Sequence, residues 1–145
     1  MKFRKKIIKV VILEDDDYYN KALNRYIKNI CNGAVYLDLD FDIKSYKDPE
    51  DCIEKLEKDT TIMILDHNLS NEELNGLDVF EIVREYCDDC KVIVVSEQQS
   101  AHVTAELMRK GVFDYIDKTV STKNRIGSAI QKALDAELNK PRVAS

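Results

Sequence analysis

The chain has 145 residues, of which 44% are hydrophobic, and its formal net charge is -5 at neutral pH. This length and composition suffice for one domain with its own apolar core, so neither disulfides nor a structural metal are needed to hold it together. The negative charge argues against a dedicated nucleic-acid surface, and the four cysteines form neither a disulfide framework nor a zinc-finger pattern, which predicts reduced thiols in a cytoplasmic protein.

The amino terminus is basic up to Lys6, and the apolar stretch after it ends at Leu13. Because this stretch is too short for a signal peptide or a membrane span, we predict a basic leader over residues 1–6 and no contact with a membrane. The sequence after Leu138 is a polar tail, residues 139–145. We therefore predict a single domain over residues 1–145 with its core at about residues 7–138.

Five short stretches have the pattern of β-strands. Three are predominantly apolar runs, as expected of interior parallel strands, one alternates apolar and polar residues, and the last is a short apolar segment. In chain order they are Ile7–Leu13, Phe41–Ser45, Ile62–Leu65, Val92–Val95 and Val112–Ile116.

Helical periodicity follows each strand, which gives the order (βα)5. Asp48 before Pro49 predicts a helix start, Gly111 predicts a helix stop, and Ser121 or Thr122 is expected to cap the last helix. Strands that alternate with helices form a parallel sheet covered on both faces, and right-handed crossovers make it doubly wound. In such sheets the functional site lies beyond the carboxyl ends of the strands.

Polar side chains follow four of the predicted strands at this edge. The first strand ends in Glu14, Asp15 and Asp16, the third in Asp66 and the fourth in Ser96, and the fifth leads to Lys118. Converging carboxylates repel one another unless a cation neutralises them, and an all-oxygen set suits Mg2+. A carboxylate such as Asp66 can accept a phosphoryl group, with Ser96 and Lys118 binding its oxygens. The alternative for residues 14–16 is an acidic first turn that stabilises the helix dipole.

Five ordered motifs, VVILEDD, IMILDHNL, NGLDVFEIVRE, VIVVSE and GVFDYIDK, carry a resemblance to a known family. Together they resemble the receiver domain of two-component response regulators, over essentially residues 7–138. The resemblance implies a flavodoxin-like five-stranded parallel sheet in the order 2-1-3-4-5.

The same resemblance implies the functional residues. Glu14 and Asp15 would hold Mg2+, or Mn2+ in its place, together with Asp66 and the backbone carbonyl of Asn68. Asp66 would be the phosphoacceptor, with a sensor histidine kinase or a histidine phosphotransfer protein as the phosphodonor. Ser96 and Tyr115 would form the conformational switch, and a homodimer would use the face of the fourth helix, fifth strand and fifth helix.

The sequence departs from the family pattern near the site. The loop after Asp66 reaches Gly76 two residues later than usual, which indicates an insertion in residues 70–75, and Ser70 stands where a proline is usual. Thr119 replaces the proline after Lys118, so we expect a trans peptide and a less firmly aimed lysine. Glu97 replaces a small residue and is expected to affect access to the phosphoryl group.

Two other functions compete with a phosphoacceptor. A degenerate receiver would use the same fold for phosphorylation-independent protein binding, and Glu97, Thr119 and the altered loop favour it. A phosphatase of the haloacid dehalogenase type also forms an aspartyl phosphate, but its second acid is Asn68 here. His67 has the wrong strand parity for a catalytic base, since neighbouring side chains point to opposite faces.

Overall fold

The computed structural model describes residues 5–33, 36–69, 74–97, 101–119 and 122–140. Its strands are β1 (Lys6–Leu13), β2 (Leu39–Tyr46), β3 (Ile62–Asp66), β4 (Lys91–Ser96) and β5 (Asp114–Asp117). Its helices are α1 (Asp17–Cys31), α2 (Pro49–Lys55), α3 (Gly76–Tyr86), α4 (Ala101–Arg109) and α5 (Thr122–Leu138).

The five strands form one parallel sheet in the order β2-β1-β3-β4-β5. This is the flavodoxin-like order that the resemblance implies. The sheet order reverses at β1, which lies between β2 and β3, so the edge beyond β1 and β3 is the switch point of a doubly wound sheet.

Alternate residues along β1 point into two separate apolar cores. Ile8, Val10 and Ile12 face α1 and α5, and Val11 and Leu13 face the side covered by α2, α3 and α4. All of β3 is buried, as its unbroken apolar sequence predicts for an interior strand. The edge at which β3 ends is therefore carried by a strand that is buried on both faces.

The helix ends predicted at Asp48 and Gly111 are confirmed. The Asp48 side chain accepts a hydrogen bond from Asp51 N at 3.1 Å, with Pro49 in the first turn. Gly111 ends α4 with a φ of 102°, a conformation that favours glycine. Of the two candidate caps for α5, Thr122 is its first residue, and Ser121 lies outside the described residues.

The fifth strand begins two residues later than predicted. Val112 and Phe113 belong to the connection from α4, because the turn at Gly111 directs the Val112 N–H back to Leu107 O at 3.2 Å. The Phe113 N–H then bonds to Val92 O at 2.8 Å, and the regular pairing with β4 starts at Asp114. The apolar run is thus shared between a turn and a strand.

Residues of the predicted leader and tail contact the folded core. Lys6 is the first residue of β1 rather than the end of the leader, and its ammonium lies 3.4 Å from Glu137. Lys140, in the predicted tail, contacts Glu137 at 2.8 Å and Asp89 at 2.7 Å. Residues 1–4 and 141–145 lie outside the described residues.

All four cysteines are free thiols, as predicted. No helix in the described ranges combines the length and apolar character that a membrane span requires.

Candidate functional site

Three carboxylates meet at the switch point of the sheet. Oxygens of Glu14, Asp15 and Asp66 lie within 4.8 Å of one another. Glu14 is fully buried and Asp66 is 3% exposed, whereas Asp15 is partly open to solvent. The strand-end prediction is therefore right in its geometry: β1 and β3 bring their terminal acids together.

A single lysine is shared by two of these acids. The Lys118 ammonium lies 2.5 Å from Glu14 Oε1 and 3.5 Å from Asp66 Oδ1. Burial opposes the charge of Lys118, but the carboxylates of Asp66 and Glu14 outweigh it and raise its pKa. The lysine thus stays cationic inside the cluster.

Three acids against one ammonium leave an excess of negative charge. Burial, reinforced by the neighbouring Asp66, raises the pKa of Glu14 to about 8 although Lys118 opposes the shift. In the absence of a further cation, Glu14 therefore keeps its proton to a higher pH than an ordinary glutamate does.

A cavity of about 390 Å3 opens over these groups. Within the described part of the chain its lining consists of Glu14, Asp15, Asp16, Asp66, Asn68, Glu97 and Lys118. Glu97 is exposed at this cavity. His67 is half-buried outside this lining, and burial lowers its pKa.

Thr122 bonds to both residues that flank Lys118. The Thr122 hydroxyl accepts from the Thr119 N–H at 2.6 Å and lies 3.0 Å from Asp117 O and 2.6 Å from Thr119 O. The Lys118 ammonium also lies 4.3 Å from the centre of the Tyr19 ring. These contacts restrain the residues on either side of Lys118, and the expectation of a less firmly aimed lysine stays a prediction. Since no described peptide is cis, the bond before Thr119 is trans as predicted.

Asn20 fixes the end of β1 and was not predicted as a site residue. Its buried side-chain amide donates to Glu14 O at 2.9 Å and to Tyr46 O at 3.1 Å. The Glu14 N–H also donates to Tyr46 O at 3.1 Å. The amide thus joins the ends of β1 and β2 and orients the strand that carries Glu14 and Asp15.

The phosphoacceptor candidate is oriented by its own loop. The Asn68 N–H donates to Asp66 Oδ1 at 3.0 Å, and the His67 N–H donates to Val95 O at 3.0 Å. A Cβ on Gly76 would lie 2.6 Å from His67 Cα, closer than real Cβ contacts come. Glycine is therefore required for α3 to start beside Asp66. Of the predicted insertion, residues 70–73 lie outside the described residues.

Ser96 is the last residue of β4, and Tyr115 lies near the start of the neighbouring strand β5. Ser96 is fully buried, and its hydroxyl donates to Asn68 Oδ1 at 2.5 Å. The Tyr115 ring is 6% exposed and packs in the core on the α3 and α4 side. Burial raises the pKa of Tyr115, although the nearby Ser96 opposes the shift, and its hydroxyl has no hydrogen-bond partner among the described residues.

Comparison with known proteins identifies the family. The family model of the response regulator receiver domain matches residues 10–131, so the chain belongs to this family. Members of the family take phosphoryl groups from kinases or phosphotransfer proteins. This is consistent with two-component signalling. The cluster of Glu14, Asp15 and Asp66 in this chain is an acidic site of the kind at which receiver domains bind Mg2+.

Individual relatives are distant. An NtrX-like response regulator of Rickettsia bellii (strain RML369-C) is 26% identical over 113 residues, which cover 77% of this chain and 22% of that protein. The chain thus spans about a fifth of the length of this relative.

Solved structures share the fold at low identity. A receiver domain protein from Clostridium thermocellum has a TM-score of 0.72 at 15% identity, covering 90% of this chain and 97% of that one. The beryllofluoride-activated receiver domain of DrrB, a Thermotoga maritima protein, has a TM-score of 0.70 at 15% identity, covering 89% and 98%.

Proposed function

We propose that this chain is a phosphoacceptor whose Asp66 takes up a phosphoryl group in a Mg2+-dependent reaction. The observation that carries the proposal is the buried cluster in which Lys118 contacts Glu14 and Asp66 beside a cavity open to solvent. The phosphodonor is a sensor histidine kinase or a histidine phosphotransfer protein, by analogy with the family. Family membership argues against the haloacid dehalogenase alternative.

The residues at the cluster fit a divalent cation. Glu14, Asp15 and Asp66 supply carboxylate oxygens, and the backbone carbonyl of Asn68 would complete the protein's share. Hard oxygen ligands and a partly open cavity suit Mg2+, which keeps several waters, and Mn2+ would be accepted by the same set. When bound, the ion supplies positive charge to the phosphoryl oxygens.

The chain's own residues have separate tasks in the transfer. A carboxylate oxygen of Asp66 forms the new bond to phosphorus, and the bond from phosphorus to the donor's histidine nitrogen breaks with its electron pair left on that nitrogen. Lys118 neutralises charge on the transferred group, and Ser96 donates a hydrogen bond to it. The domain thereby catalyses its own phosphorylation and, with water as the acceptor, its dephosphorylation.

Phosphorylation is expected to act through Ser96 and Tyr115. The phosphoryl group adds about -1.5 to -2 charge and new acceptor oxygens near Ser96, in one state only. Such a state-dependent contact is what shifts a conformational population. Tyr115 is the side chain that we expect to respond, because it is buried near Ser96 and its hydroxyl has no hydrogen-bond partner among the residues that the structure describes. We expect the resulting conformational change to reach the surface formed by α4, β5 and α5. A homodimer would form through the same surface.

The decisive experiment is intact mass spectrometry after incubation with acetyl phosphate, with and without Mg2+. A Mg2+-dependent gain of one phosphoryl group in the wild type, absent in Asp66→Asn, is the expected result. Beryllofluoride, which activates the DrrB receiver domain, serves as a stable mimic if the phosphoaspartate is short-lived.

Glu97 supports a second candidate, the phosphorylation-independent binding module. Its carboxylate lines the cavity and would repel an anionic phosphodonor. If the protein binds Mg2+ but is not phosphorylated and does not bind beryllofluoride, this second function is favoured over the first.

A further inference from the structure

The side chain of Asn68 connects the phosphoacceptor to the end of β4. Its carboxamide oxygen accepts two hydrogen bonds, from Ser96 Oγ at 2.5 Å and from the Glu97 N–H at 3.3 Å. The backbone N–H of the same residue donates to Asp66 Oδ1 at 3.0 Å. Asp66, Asn68 and Glu97 all line the one cavity.

Two donors that converge on one oxygen are the arrangement by which proteins stabilise an oxyanion. A phosphoryl group on Asp66 would carry anionic oxygens at this end of the cavity, and β3 and β4 are paired there, with Asp66 opposite Val95. Ser96 and Glu97 follow directly, so their donors are adjacent to the phosphoryl site. In the unmodified protein these donors are engaged by an oxygen of the chain itself.

We propose that the Asn68 carboxamide oxygen is an internal stand-in for a phosphoryl oxygen. It satisfies the buried Ser96 hydroxyl and the Glu97 N–H while Asp66 is unmodified, and it must leave both donors when a phosphoryl group arrives. The inference rests on the proposed phosphorylation of Asp66. It makes Asn68 a positioning residue that opposes activation, because each bond made to its side chain must be exchanged for one to the phosphoryl group.

The test is the affinity of the full chain for beryllofluoride in Mg2+, measured by calorimetry for the wild type and Asn68→Ala. The substitution keeps the backbone N–H and carbonyl and removes the side-chain carboxamide, and with it the competing oxygen. Since a net hydrogen bond corresponds to about a three- to tenfold change in an equilibrium constant, we expect binding tighter by about that factor. Asn139→Ala, at an exposed position after α5, is the matched control and should bind like the wild type.

The same pair of measurements in a Ser96→Ala background separates competition from a simple gain of space. If Asn68 acts by holding the Ser96 hydroxyl, its removal should give a clearly smaller gain when that hydroxyl is absent. An equal gain in both backgrounds would mean that alanine merely opens the cavity, and the stand-in role would be wrong. Weaker or unchanged binding by Asn68→Ala, with a wild type that binds, would overturn the stand-in role alone.

Failure of the proposed function has a different signature. If neither the wild type nor any variant binds beryllofluoride, Asp66 is not a phosphoacceptor and the stand-in has nothing to replace. Amide hydrogen exchange adds a readout without phosphate. Asn68→Ala should speed the exchange of the Glu97 N–H in the unmodified protein, and unchanged exchange would contradict the bond on which the inference depends.

Discussion

The Lys118 ammonium lies 2.5 Å from the Glu14 carboxylate, and both side chains are buried. Burial and the nearby Asp66 carboxylate nevertheless raise the pKa of Glu14 from 4.5 to about 8. The Lys118 ammonium is thus shared by the carboxylates of Glu14 and Asp66. Ionising Glu14 beside Asp66 therefore costs free energy.

This relationship predicts how stability depends on pH in metal-free protein. The folded state keeps a proton on Glu14 that the unfolded chain releases, so the free energy of unfolding should fall as pH rises from about 4.5 to about 8, by at most about 1.4 kcal/mol per pH unit. Glu14→Gln cannot lose this proton and should show a shallower decline. Urea unfolding in a chelator at pH 5 and pH 8 measures both slopes, and parallel curves for the two proteins would contradict the prediction.

Two glycines differ in the space around them, so alanine substitutions should have opposite effects. Gly76 lies where α3 packs against the phosphoacceptor loop, and Gly127 lies inside α5. Gly76→Ala places a Cβ against the backbone of His67 and should destabilise the fold by about 1–3 kcal/mol. Gly127→Ala, inside α5, meets Ile30 Cδ1 only at 3.7 Å and should stabilise by about 0.5–1 kcal/mol. Thermal unfolding of the two variants is the measurement; a Gly76→Ala protein as stable as the wild type would show that the loop yields.

Thr122 is expected to aim Lys118 through its hydroxyl. Thr122→Val keeps the shape but leaves the Thr119 N–H without this acceptor, so we expect a loss of about 1–3 kcal/mol in stability and slower phosphorylation by acetyl phosphate. Thr122→Ser retains the hydroxyl and should recover most of the rate. Equal rates for the valine and serine variants would mean that the turn is held by packing alone.

The Tyr115 hydroxyl has no partner within the described part of the chain, which predicts that its removal is neutral or stabilising. Tyr115→Phe removes a buried polar atom without a partner in the described structure, so the free energy of unfolding should stay the same or rise by up to about 1 kcal/mol. Calorimetric unfolding checks this. A loss above about 1 kcal/mol would reveal a hydrogen bond to the hydroxyl that matters for folding.

Glu97 predicts a charge effect on the phosphodonor. Glu97→Gln removes the exposed negative charge at the cavity with little change of shape, and acetyl phosphate should then react about two- to fivefold faster at low ionic strength. Because the effect is electrostatic and exposed to solvent, it should shrink in high salt. A rate ratio that does not depend on salt would indicate a steric role instead.

The sheet and the main site residues follow from sequence because each depends on a strong local pattern. The apolar runs that end in Glu14, Asp66 and Ser96 define both the strands and the edge where their ends meet. The start of the fifth strand was predicted too early because Val112 lies in a turn and packs on the core. An apolar residue in a buried turn gives the same sequence pattern as one in a strand.

The supporting contacts were not predictable in the same way. Asn20 joins strand ends far apart in sequence, and Thr122 acts on a turn through side-chain geometry that depends on the exact start of α5. The Asn68 side chain bonds to Ser96, 28 residues later. Such contacts depend on side-chain direction in the folded molecule, and a sequence pattern records only residue type.

The pair of Glu14 and Lys118 also bears on how the molecule folds. These residues are 104 positions apart, so their contact is among the most costly in loop-closure entropy and can form only once β5 has joined the sheet. If β1 and β3 pair first, Glu14 and Asp66 meet without the lysine that offsets their repulsion. In that case the acidic edge opposes assembly of the sheet centre, and we expect a divalent cation present during folding to accelerate it.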